Sequence, residues 1–114
     1  MSQKIPVLTL TVTALGAVSA HRFVGYGGDE IATTGAQALG VATHDADDGQ
    51  DLAVDVIGTS VVEANGAIAV GDDVVADTSG KAIVNPAVGG ETVVAKALDA
   101  ASGAGEFIEV LLAR

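Results

Sequence analysis

Pro6-Val7-Leu8-Thr9-Leu10-Thr11-Val12-Thr13 alternates apolar and hydroxyl side chains with a period of two, and it is bounded by Pro6 and Gly16. Successive strand residues face opposite sides of a sheet, so this pattern reads as a β-strand, not a helix. The same period recurs along the chain. Arg22–Tyr26 is cut off by Gly27-Gly28. Leu39–Thr43 and Leu52–Ile57 flank the acidic turn Asp45-Ala46-Asp47-Asp48-Gly49-Gln50-Asp51, where Asp and Gly favour a hairpin. Ser60–Glu63 and Ala67–Val70 flank Asn65-Gly66, a two-residue hairpin signal. Val74–Asp77 and Ala82–Val84 flank Thr78-Ser79-Gly80-Lys81. Thr92–Leu98 and Phe107–Leu112 flank Ser102-Gly103-Ala104-Gly105. About nine short strands are expected, with at most one helical turn over Ala95–Ala101.

The chain also repeats itself. Val12-x-Ala14-x-Gly16-Ala17-Val18 matches Val62-x-Ala64-x-Gly66-Ala67-Ile68 at a spacing of 50. Asp45-Ala46-x-x-Gly49 matches Asp99-Ala100-x-x-Gly103 at a spacing of 54, and Val54-Asp55-Val56-Ile57 matches Ile108-Glu109-Val110-Leu111 in that register. The expected architecture is a single all-β domain over residues 1–114, a small barrel or sandwich of two pseudo-symmetric β units. Residues 1–11 form an N-terminal arm and first strand, 12–58 the first unit and 62–112 the second. Closing the sheet removes exposed edges, which a Val-rich chain especially needs.

Composition narrows the function. Of 114 residues 49% are hydrophobic but only 3% aromatic, so Phe23, Tyr26 and Phe107 are the whole aromatic stock. Fifteen acids face five bases, giving a net charge of −10. Nucleic acid needs Lys and Arg to displace its counterions, and five scattered bases do not supply them. The charge also argues against an anionic membrane surface, and no apolar run approaches the ~18 residues of a spanning helix. Without cysteine there is no thiolate nucleophile and no disulfide. That absence fits synthesis in a cytoplasm, and no signal peptide is evident at the N-terminus.

No motif carries catalysis. His21 and His44 are the only imidazoles, and no Gly-x-Ser-x-Gly elbow is present. Gly25-Tyr26-Gly27-Gly28 lacks the Gly-Lys-Ser/Thr of a phosphate loop and reads as a tight turn. Asp45, Asp47, Asp48 and Asp51 beside His44 suggest a Ca2+ loop, but the ligand spacing of an EF-hand fails, and a solvated hairpin tip is the favoured reading. Lys81 at a turn tip is reminiscent of lipoyl and biotinyl carrier domains. Its setting, Ser79-Gly80-Lys81-Ala82-Ile83, lacks their signature, and a solvent-facing lysine is expected. No catalytic residue, cofactor or metal ligand is assigned.

The order of motifs resembles the tailed-phage capsid cement, or head decoration, proteins. The pieces are Thr13-Ala14-x-Gly16-Ala17-Val18, Arg22-Phe23-Val24-Gly25-Tyr26, Ala38-Leu39-Gly40-Val41-Ala42, Gly58-Thr59-x-Val61-Val62, Gly66-Ala67-Ile68-Ala69-x-Gly71-Asp72 and Asp77-x-x-Gly80-Lys81-Ala82. Ala95-x-Ala97-Leu98-Asp99-Ala100-Ala101-Ser102 and Ile108-Glu109-Val110-Leu111-Leu112 complete it, with Lys96 where a glycine is expected. The resemblance implies a non-enzymatic structural protein, made in the host bacterial cytoplasm. It would bind the major capsid protein on the outer surface of an expanded head and stabilise the shell against DNA pressure. It also implies a homo-oligomer, with a trimer favoured over a dimer. Ser2, Gln3, Lys4, Ile5, Pro6 and Val7 are the candidate capsid contacts, an arm that could add a strand to a capsid sheet. Phe23 and Tyr26 are candidate oligomer-interface anchors, with core filling the competing role for Phe23. Phe107 is expected to pack. The alternative function is a β-sandwich module that binds a glycan or surface partner.

Overall fold

The structure, a computed structural model, describes residues 5–112. Eight strands follow in order: β1 (Pro6–Thr13), β2 (Phe23–Val24), β3 (Gly40–Ala42), β4 (Asp51–Glu63), β5 (Asp73–Ala76), β6 (Ala82–Val84), β7 (Ala95–Ala97) and β8 (Phe107–Leu112). Every strand pair is antiparallel. The sheet runs β2-β3-β4-β8-β7-β5-β6, and β1 lies beside β4 off that path. The all-β reading holds, and Ala95–Ala97 is strand where a helical turn was allowed.

β4 organises the molecule. The two strands expected over Leu52–Ile57 and Ser60–Glu63 are one strand of 13 residues. Its first half pairs with β1 and β3, and its second half pairs with β8. Gly58, at φ 101°, is the joint between the halves. A β-carbon there would lie 2.5 Å from the carbonyl oxygen of Ile5 and 2.7 Å from the amide nitrogen of Val7, so glycine lets β1 approach.

Two cores result. The smaller packs Leu52, Val54 and Val56 of β4 against Val18, Val24 and Ala46. The larger holds Phe23, Val41, Val62, Val74, Ile108 and Val110, with alanines filling the gaps. The sheet comes close to closing on itself. The Phe23 N–H donates to the Gly80 carbonyl at 2.7 Å, and the Asn65 N–H donates to that of Ala82 at 2.8 Å. That second bond shows why the expected Asn65-Gly66 hairpin does not form. Asn65 finds its partner on β6, and Ile68 exchanges both backbone bonds with Ala101, so 67–70 is not a strand.

Backbone hydrogen bonds recur in both halves. Val18 exchanges two with Ala46, as Ile68 does with Ala101. Ala14 bonds Gln50 and Gly49, as Ala64 bonds Glu106 and Gly105. The His21 N–H donates to Ala42, as the Gly71 N–H does to Ala97. The first partners stand 50 apart, but the second stand 55 or 56 apart, one or two residues beyond the register read from sequence. His21 holds φ 64° where its counterpart Gly71 holds 88°, so a side chain occupies a conformation that suits glycine.

Candidate binding surface

Ser2, Gln3 and Lys4 lie outside the described residues. Ile5 and Val7 are 62% and 74% exposed, and Pro6 is exposed beside Gly58. The Ile5 N–H donates to Thr59 Oγ1 at 2.8 Å, and the Ile5 carbonyl accepts the Thr59 N–H at 3.0 Å. This segment is therefore the paired start of an edge strand. Its neighbours extend an apolar surface: Ile57 is opposite Leu8, and Leu111 is opposite Thr59, all on the outside of the sheet. No charged residue occurs from Ile5 to Ala20 in a chain of net charge −10.

The two aromatic candidates separate. Phe23 is 0% exposed in the larger core and has no surface to offer a partner, which corrects its assignment as an interface anchor. Of the three aromatic side chains it is the one the core buries. Tyr26 is 54% exposed on the turn after β2. Leu15, 63% exposed, lies beside that turn, its N–H donating to the Gly28 carbonyl at 3.0 Å. Sequence reasoning passed over Leu15, although it is the one large apolar side chain where the second half carries Asn65. Phe107, expected to pack, is 56% exposed and meets the His21 ring edge-on with centroids 5.3 Å apart.

The polar groups serve the fold. In the acidic turn, Asp45 accepts the Ala20 N–H at 2.7 Å and Asp48 accepts the Gly16 N–H at 2.9 Å. Two of its carboxylates thus hold the loop after β1. Among the described residues no three His, Cys, Asp or Glu side chains gather as a metal site. Lys81 is drawn inward rather than facing solvent. Its Nζ lies 3.3 Å from Glu63, and Glu63 and Glu30 both pair with Arg22 at 3.7 and 3.6 Å. Asp55 is buried at the border of the larger core, where its carboxylate accepts from Thr9 Oγ1 at 2.9 Å and Ser60 Oγ at 2.8 Å. Glu109, which the sequence repeat aligns with Asp55 but the hydrogen bonds align with Ala53, is also buried.

One carboxylate carries a pH signature. The Ser102 side-chain hydroxyl, and then its backbone N–H, donate to Glu106 and hold that carboxyl below the usual glutamate range. A depressed pKa contributes stability above the unfolded-state value and loses it as pH falls through the folded-state value. NMR titration should therefore place the Glu106 midpoint below that of an ordinary glutamate, and Ser102→Ala should move it up. An unchanged midpoint in the variant would remove the hydroxyl as the cause.

These residues make an exposed surface. The profile of the phage cement proteins matches residues 1–112. The chain belongs to the phage cement protein family. A comparison with curated sequences finds no significant match. Among solved structures, the fold is similar to the head fiber gp8.5 N base of bacteriophage phi29. The TM-score is 0.74 at 22% identity, covering 93% of each chain. A cement protein is a structural phage component that binds the capsid, and this membership favours decoration over the glycan-binding alternative.

Proposed function

We propose that this cement protein binds the outer surface of the expanded head, with the major capsid protein as its partner and the segment Ser2, Gln3, Lys4, Ile5, Pro6 and Val7 as the contact. The observation that carries the reading is Ile5 and Val7 standing exposed on an uncharged edge strand of a strongly acidic chain. Apolar side chains in that position gain by burial, and the surrounding acids keep the free protein soluble and off the packaged DNA. A ligand that prefers the expanded lattice stabilises it by mass action. Bridging neighbouring capsid subunits adds contact area to seams that internal DNA pressure would open.

Sedimentation with expanded and unexpanded heads tests this directly. Saturable binding to expanded heads is expected, and coated heads should retain DNA at higher temperature than bare ones. Val7→Asp places a charge in the contact without touching either core. Losing the burial of one valine, about 1.5 kcal/mol or more, corresponds to at least about tenfold weaker binding. Equal binding by wild type and Val7→Asp would move the contact elsewhere on the molecule.

A further inference from the structure

Three side chains of β8 face outward. Phe107 and Leu111 are 56% and 46% exposed, yet Glu109 between them is 2% exposed. Alternation sets all three opposite Ile108 and Val110, which fill the larger core, so Glu109 is buried on the outside of the sheet. Its Oε1 has no hydrogen-bond partner among the described residues. Its backbone is engaged, the N–H donating to the Asp99 carboxylate at 3.1 Å and the carbonyl accepting the Leu98 N–H at 2.9 Å. Asp99 thus brings a second carboxylate to the same place. A buried carboxylate is costly without a counter-charge.

The counter-charge has few sources. The chain has five bases. Arg22 and Lys81 pair with Glu30 and Glu63, and the Lys96 Nζ lies 3.5 Å from Asp73. Lys4 and Arg114 are left, both outside the described residues. Arg114 would have to double back from Leu112, which is buried in the larger core. Lys4 directly precedes Ile5, and backbone pairing fixes where Ile5 stands.

The Thr59 N–H donates to Ile5, while the Ala64 N–H donates to Glu106 at the start of β8. Odd and even N–H groups of a strand point to opposite sides, so Ile5 and β8 flank β4. Beyond Ile5 that side of β4 is held by His21. Its Nδ1 lies 3.2 Å from the Val61 carbonyl, and its own carbonyl accepts the Glu63 N–H at 2.8 Å. The inner face is filled by the core. The open course runs over the outer face of β4, where Glu109 stands opposite Val61. That is two strand spacings across and two residues along from Ile5, about 12 Å. The Lys4 Cα starts ~3.8 Å from that of Ile5, and the long lysine and glutamate side chains span the rest. No acid precedes Asp29, so nothing in the segment repels the site. We infer that residues 1–4 form a strap across the outer face of β4 and β8, with the Lys4 ammonium seated on Glu109.

The strap concerns the free protein and stands apart from the capsid reading. If that reading holds, Lys4 places the segment while its neighbours make the contact, and a segment ordered beforehand loses less entropy on binding.

Acetylation with acetic anhydride, followed at each lysine by peptide mass spectrometry, compares Lys4 with Lys96, whose side chain is 59% exposed. Lys4 should react several-fold more slowly, and Glu109→Gln should bring it to the Lys96 rate. Lys4→Gln should lower the melting temperature, because it strips the counter-charge from a buried carboxylate. Adding Glu109→Gln should restore most of the loss, a non-additivity that separate sites do not show. Should Glu109→Gln fail to fold, wild-type labelling and the Lys4→Gln melting temperature still decide. Lys4 labelling as fast as Lys96 in the wild type would overturn the strap, and so would a Lys4→Gln protein that melts with the wild type. If that protein also fails to bind heads, Lys4 belongs to the capsid and not to Glu109. Val7→Asp scores the capsid contact separately, so loss of the strap leaves that contact standing.

Discussion

Phe23→Ala should destabilise the protein by about 3–5 kcal/mol, the range for emptying a buried aromatic site. The ring is fully buried and sits opposite Val41 in the β2–β3 pair. Its backbone N–H also ties this edge of the sheet to Gly80, where the barrel comes near to closing. The surrounding core is mostly valine and alanine, short side chains that cannot reach in to fill the void. At about 4 °C per kcal/mol, the melting temperature should fall by roughly 12–20 °C. Phe23→Leu should cost less than half as much, because it keeps most of the volume. Thermal unfolding decides the magnitude, and light scattering well below the transition decides the role. A variant with a normal melting temperature but a changed oligomer mass would return Phe23 to an interface. Normal mass with a collapsed melting temperature is expected.

The strands were legible wherever side-chain alternation coincides with local pairing. β1 and β8 have the bounds expected of them, and the β5–β6 and β7–β8 hairpins form around the turns read from sequence. Alternation fails at β4, because Gly58 punctuates the sequence like a turn while the backbone runs on through it. Asn65-Gly66 misleads for the opposite reason. Its turn chemistry is real, but its hydrogen bonds go to Ala82 on β6, a partner no local window contains. Small residues carried the repeat well, since turn glycines and buried alanines are fixed by backbone geometry. The binding surface was less legible. Phe23 and Phe107 look alike in sequence, and which of them is exposed depends on what packs over it. Lys81 shows the same limit, because Glu63 approaches it from β4.

Gly58→Val should detach the start of β1 and leave the rest of the sheet paired. The residue sits at φ 101°, a conformation that a β-branched side chain rarely adopts. Its added carbon would meet the Ile5 carbonyl oxygen at 2.5 Å and the Val7 nitrogen at 2.7 Å, backbone atoms that cannot swing aside as a side-chain tip can. Strain and overpacking together should cost about 2–4 kcal/mol. The cheapest relief is for β1 to lift away, because its side chains are almost all exposed and little burial is lost. The second half of β4 stays held by β8 from Thr59 to Glu63. Hydrogen exchange should therefore show the Thr59 amide, which donates to Ile5, losing protection. The Leu98 amide, which donates to Glu109 across β7 and β8, should keep its own. Head binding should weaken as well, since the start of β1 carries the proposed contact. Gly66→Ala supplies the control: nothing lies within 4 Å of the added carbon and φ is not positive, so stability should be unchanged or slightly raised. Protection lost equally from β7, β8 and β1 would show that β1 is integral to the cooperative fold. A Gly58→Val protein that still bound heads with normal affinity would show that the strand is not the contact.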